Sequence, residues 1–180
     1  MSEHPAHLTI PVSERDHAIG PISAPLVLVE YGDYQCPHCG HAYPVVKQLR
    51  ERFGDRLSFV YRNFPLTSVH QHAQRAAETA EWAALDGKFW QMHDELYEHQ
   101  DRLDDKSLRA AAQRLGLDPR ELQKAWDSHA LIPRVKDDFL GGLKSGVSGT
   151  PKFFINGKRH DGPNGLDELA AALEAALANR

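Results

Sequence analysis

The chain of 180 residues carries 25 acidic and 21 basic side chains, a formal charge of −4, and is 41% apolar and 26% charged. This composition fits a folded, water-soluble protein with a real hydrophobic core and excludes disordered, collagen-like and disulfide-dense classes. No run of Lys or Arg is long enough to track a phosphate backbone and no apolar run approaches a membrane span, so neither nucleic acid nor membrane is an expected partner.

The first 25 residues form a polar lead-in rich in Pro, His and charge, with no apolar centre of the signal-peptide kind, which gives the expectation of a cytoplasmic protein. "LVLVEY" (Leu26 to Tyr31) then reads as a buried strand, and "LSFVYRN" (Leu57 to Asn63) as a second. Between them residues 36–53 predict a helix, with Tyr43, Val46, Leu49 and Phe53 on one face and Gly54 closing it. A strand-helix-strand unit of this kind crosses over right-handed.

From about Pro65 to Gly146 the periodicity is helical only. Val69, Ala73, Ala76, Ala77, Ala80 and Ala84 share one face, and Phe89, His93, Leu96 and Tyr97 continue on a second helix. A third carries Leu108, Ala111, Ala112 and Leu115; Asp118-Pro119 with Glu121 opens a fourth as N-cap, first-turn proline and acidic third residue. A fifth holds Val135, Phe139 and Leu143. "KFFINGKRH" then predicts a hairpin turning on Asn156-Gly157, followed by a last helix with Leu166, Leu169, Ala170, Leu173 and Leu177 as its stripe. The expectation is one α/β domain whose core spans residues 20–64 and 147–180, with a helical insertion over 65–146.

Both cysteines of the chain lie in "YGDYQCPHCGHAYP", where the first strand hands over to the helix. Thiols are kept reduced in a cytosol, so so close a pair is expected to be reactive or metal-bound. Cys36 falls at the helix N-terminus and Cys39 about one turn in. Free N–H groups and the helix dipole favour a negative sulfur there, lowering a thiol pKa of about 8.5 to roughly 3.5–7.5. The expected division is an exposed, activated Cys36 and a Cys39 set back in the helix. Pro37 fixes the first turn, and the His38 imidazole can donate to Cys36 or place a charge near it, so replacing His38 by an apolar residue is expected to raise the Cys36 pKa and make the pair more reducing.

Two other readings use the same residues. Cys36, Cys39, His38 and His41 have the atom types of a zinc site, although no second CxxC or HxxxH supplies the usual partner pair. A sensing or client-binding module would hold thiol partners without turning them over. Gly40, standing where a haem-attachment motif needs His, excludes that cofactor. His70, His72, His93, His99 and His129 read as surface or partly buried positions, and Trp82, Trp90 and Trp126 as packing residues.

"CPHC" at the head of a helix after a buried strand, with Gly-Thr-Pro before a later strand, resembles the DsbA-like thiol-disulfide oxidoreductases of the thioredoxin superfamily. The likeness runs from "DHAIGPISAPLVLVEYGDYQCPHC" to "GVSGTPKFFINGKRHDG", nearly the whole chain. It implies a thioredoxin-like fold with a helical insertion, and a dithiol chemistry that needs no dissociable cofactor or metal. The partners it implies are thiol- or disulfide-bearing proteins or small molecules and a separate redox partner. It also implies site roles: Glu30, six residues before Cys36, as a buried acid exchanging protons with the inner cysteine; Thr150 and Pro151 as a cis-proline loop that, with Pro37, meets the substrate; and Pro44 as the superfamily's in-helix proline.

Overall fold

The computed structural model describes residues 5–180. Among them one sheet is built from β1 (His17–Ile19), β2 (Leu26–Gly32), β3 (Leu57–Asn63), β4 (Lys152–Ile155) and β5 (Lys158–Arg159), in the order β1-β3-β2-β4-β5. β2 is central. It runs parallel to β3, with Leu26 opposite Leu57 and Gly32 opposite Asn63, and antiparallel to β4, with Leu28 opposite Ile155 and Tyr31 opposite Lys152. A parallel pair needs a crossover element, and α1 (Pro37–Phe53) supplies it.

Side chains alternate across the sheet, so register decides what lies beneath α1. Leu28, Phe59, Phe153 and Ile155 share one face and join a core with Val46 and Leu49 of α1 and Leu169 and Leu173 of α7 (Leu166–Ala178). Glu30 pairs with Tyr61 and Phe153 in the same register and therefore points into that apolar layer. Val29, Tyr31, Val60 and Phe154 face the other way, against Phe64, Phe139 and Val147. Each large apolar side chain taken fully out of water contributes about 1.5–3 kcal/mol, so the position of Glu30 is set by its neighbours.

Between β3 and β4 lie α2 (Ala73–Ala84), α3 (Phe89–Glu98), α4 (Asp105–Arg114), α5 (Pro119–Asp127) and α6 (Ile132–Lys144). Buried Ala76, Ala77, Ala80 and Ala83 let neighbours approach α2 closely. Asp118 caps α5 by accepting from the Arg120 N–H at 2.9 Å, as its Asp-Pro start predicts, and Asp104 caps α4 through Ser107 at 2.7 Å. The Asn156-Gly157 hairpin is also present: both residues have positive φ, 48° and 81°, the twist a two-residue turn demands. The Asn156 carboxamide ties that turn to β2, accepting from Val27 N–H at 2.8 Å. No helix among the described residues is long and apolar enough to cross a membrane.

Three expectations change. The lead-in contributes β1, antiparallel to β3, and it is fastened across the sheet by the buried Arg62, which pairs with Asp16 at 2.7 Å and donates to the carbonyls of Ile10 and Pro11. Val69 precedes α2 and is 71% exposed, because the loop before that helix is tied to the site described below. Leu143 lies at the solvent side of α6, 49% exposed, with Gly142 in its place against the sheet.

Candidate active site

Cys36 is the N-cap residue of α1, with extended backbone, and Pro37 and His38 open the helix. Both cysteines are free thiols. A hydrogen bond from the Cys39 thiol is the largest influence on Cys36, followed by burial, which opposes ionisation, and then by Thr150 and the N–H groups of Cys39 and His38; together they hold the Cys36 thiol down at about 5. Cys39 moves the other way. Burial pushes its thiol well above the ordinary range, and the bond it gives to Cys36 and the charge of Glu30 push it further.

Cys36 is nearly covered, at 3% exposure, which corrects the expectation of an open thiol. The cis Thr150–Pro151 peptide segment lies against it, and the Thr150 carbonyl accepts from the Cys36 thiol at 3.5 Å. The Thr150 hydroxyl is buried and has no hydrogen-bond partner in the protein, leaving it free to turn toward sulfur. Pro37 and His38 are exposed beside it. The His38 imidazole makes no hydrogen bond to Cys36; what this residue directs at the sulfur is its peptide N–H.

Glu30 lies in the layer beneath, 2% exposed, and its Oε1 has no partner in the protein. Burial, reinforced by the negative charge of Cys36, raises its carboxyl to about 8. The structure thus gathers Cys36, Cys39, Glu30 and the Thr150-Pro151 loop at the end of β2 and the head of α1, with Pro37 and His38 on the rim. Among the described residues no group of three or more His, Cys, Asp or Glu is arranged to hold a metal ion.

Sequence reasoning missed the supports. Asp33, fully buried, accepts from Gln35 N–H at 2.7 Å, from Leu66 N–H at 2.9 Å and pairs with His70 at 2.8 Å, while its own N–H donates to Cys39 Sγ at 3.5 Å. Gln35 in turn accepts from His72 N–H at 2.7 Å. His70 therefore braces the loop before α2 and does not sit on a helix surface. Gln100 donates to the carbonyls of Tyr34 and Cys36 at 2.9 and 2.7 Å. His93, 4% exposed, is enclosed by Tyr34, Tyr61, Phe89 and Tyr97 and bonded to the Tyr34 hydroxyl at 3.0 Å; burial drops its pKa to about 3, so it stays neutral. Asp33 is the one support with a local signal, an acid beside the strand end three residues before Cys36.

Two unlike thiols at one helix terminus, over a buried acid and under a cis-proline loop, describe a thioredoxin-fold protein of the DsbA-like kind, elaborated by a helical layer. A family model described as thioredoxin matches residues 12–175, and the chain belongs to that family. The fold is similar to oxidised BdbD of Bacillus subtilis, with a TM-score of 0.86, 22% identity and coverage of 97% of this chain and 98% of that one. It is similar also to alpha-DsbA1 of Wolbachia pipientis, with a TM-score of 0.82, 19% identity and coverage of 96% and 95%. In sequence it is 44% identical over 179 residues to a Salinispora arenicola protein named Na(+)/H(+) antiporter NhaA 1. That match takes in 99% of this chain, which spans only 27% of the antiporter polypeptide's length.

Proposed function

We propose that this chain is a thiol-disulfide oxidoreductase cycling Cys36 and Cys39 between dithiol and disulfide. The observation that carries the reading is the opposed displacement of the two thiols, Cys36 down to about 5 and Cys39 far up. A low pKa makes Cys36 both the ionised nucleophile and the better leaving group, whereas a protonated Cys39 waits until its proton is taken.

In the reducing direction Cys36 thiolate attacks one sulfur of a client disulfide, and the other sulfur leaves as thiolate. Cys39 then gives its proton to Glu30 and attacks Cys36, forming the Cys36–Cys39 bond and releasing the second client sulfur with its electron pair. Two electrons have passed to the client. The oxidising direction is the reverse, a client thiolate attacking Cys36 of the disulfide, and stabilisation of the Cys36 thiolate favours it. The Thr150 carbonyl and the exposed Pro37 lie beside the sulfur, and on this reading they meet a client chain there.

The test is a trapping pair. Cys39→Ala should accumulate mixed disulfides with glutathione or a peptide disulfide, and Cys36→Ala should give none; equal trapping by both variants would sink the assignment. The match to an antiporter polypeptide favours a second reading of the partner, in which the client is such an antiporter. The same Cys39→Ala variant, mixed with that antiporter, should then form a disulfide-linked adduct that dithiothreitol releases.

A further inference from the structure

The turn that hands β2 to α1 gives three of its carbonyls to the end of α3. The Asp33 carbonyl, which closes that turn by accepting from Cys36 N–H at 3.1 Å, also accepts from the Tyr97 hydroxyl at 3.4 Å. Gln100, in the turn that follows α3, donates through its one carboxamide nitrogen to the carbonyls of Tyr34 at 2.9 Å and Cys36 at 2.7 Å. Buried Tyr97 and Leu103 fix this stretch on either side of Gln100.

The local sequence makes a side-chain donor necessary there. In a continuing turn the Tyr34 carbonyl would be met by the N–H three residues on, but that residue is Pro37, which has none, and among the described residues no other donor reaches this carbonyl. The same carboxamide occupies the place of a side chain at residue 40. A Cβ on Gly40 would collide with Gln100 Oε1 and stand 3.0 Å from its Cδ. Gly40 has no positive φ, so it is the carboxamide and not the backbone that calls for glycine after Cys39.

We infer that Gln100 is a positioning residue for the thiol chemistry: seated in the recess at Gly40, it supplies the hydrogen bond that Pro37 cannot give and holds the Tyr34 and Cys36 carbonyls toward α3, so that neither turns to the Cys36 sulfur. The inference rests on the reading of Cys36 as the ionised nucleophile. A carbonyl oxygen carries partial negative charge, and one released toward Cys36 would oppose the thiolate that the N–H groups of His38 and Cys39 favour. Stabilising the thiolate stabilises the reduced form, so the bond from Gln100 also makes the Cys36–Cys39 disulfide the stronger oxidant. The helical insertion is thereby coupled to the redox pair through one side chain.

The experiment compares the full chain with Gln100→Ala, Gly40→Ala and the double variant. Gly40→Ala suits a helix and keeps every side chain, but pushes the carboxamide off the two carbonyls, so it serves where Gln100→Ala disturbs folding. Each single variant should raise the pH midpoint of Cys36 alkylation by about one unit and lower about tenfold the equilibrium constant with which the disulfide oxidises glutathione at pH 7. The double variant should go no further than Gln100→Ala. The rate of attack by Cys36 on glutathione disulfide should cross that of the parent: about two- to threefold slower at pH 4.5, where fewer sulfurs are ionised, and about threefold faster at pH 8, where the more basic thiolate is the better nucleophile. A merely structural lesion would not change sign with pH. Either single variant keeping the parent midpoint and equilibrium constant overturns the assignment of Gln100, as do shifts that add in the double variant. A parent midpoint near the ordinary 8.5 would instead sink the reading of Cys36 on which this one rests.

Discussion

Cys36 and Cys39 are the same side chain one helical turn apart, so the difference between them must come from what each sulfur meets. The Cys39 thiol, the Thr150 side chain and two peptide N–H groups favour a negative Cys36 sulfur; Cys39 receives a hydrogen bond from Asp33 N–H and is otherwise sealed. Alkylation of the reduced protein should accordingly titrate at Cys36 with a midpoint near 5, and Cys39 should stay unlabelled at neutral pH. A midpoint above 8 would show that these donors do not act. Thr150→Val keeps the loop carbonyl and removes the one orphaned hydroxyl, so it should raise that midpoint, whereas His38→Val retains the peptide N–H and should move it less. Larger movement from His38→Val would return the leading role to the imidazole's charge. The cysteines were legible because their spacing at the head of a helix carries the pattern, and Glu30 and Thr150-Pro151 only through the resemblance to the DsbA-like family. Gln100 and His70 were not: each meets the site from 64 and 37 residues away, and nothing local to them differs from a surface side chain.

At the scale of elements, period and punctuation located the long helices and both long strands, because a run of apolar positions dictates which face is buried before any neighbour is known. β1 escaped for the converse reason. Its three residues carry no pattern of their own, and what holds them is tertiary: pairing with β3, His17 stacked on Phe89 at 3.6 Å and bonded to buried Glu81 at 2.8 Å. Gly141-Gly142 inside α6 is a similar case, since two glycines in a helix look like a weakness until the sheet is in place. A Cβ built on Gly142 would stand 2.7 Å from the Phe64 ring and 3.0 Å from Tyr31, both buried. Overpacking costs typically about 1–3 kcal/mol, against roughly 0.5–1 kcal/mol gained in helix propensity, so Gly142→Ala should destabilise by about 1 kcal/mol in urea unfolding. A stabilised variant would mean that α6 does not depend on this close approach.

Across the whole molecule a large electrostatic cost falls on Glu30, a carboxyl in an apolar layer, and its sign fixes how the stability it governs must vary with pH. The Glu30 carboxyl titrates near 4.5 when unfolded and about 8 when folded, so the folded chain holds a proton that the unfolded chain has lost. Stability attributable to Glu30 therefore falls as pH rises from 4.5 to 8 and levels off above, by on the order of 5 kcal/mol at about 1.4 kcal/mol per unit. Cys36 has the opposite sign, adding stability from about 5 up to its ordinary value near 9, and would mask the effect in the reduced protein. The clean comparison is Glu30→Gln against its parent in a Cys36→Ala background, which also removes the Cys36 charge and so reads the contribution of burial alone, unfolded in urea at pH 5 and at pH 8.5. The buried amide's unmet hydrogen bonds cost the same at both pH values and cancel in the difference, as do the other titrating groups, which both proteins share. The parent should lose several kcal/mol more than the variant between the two conditions. Equal losses would show that Glu30 is ionised in the folded protein at no cost, and an acid so placed could not take and return the Cys39 proton near neutrality.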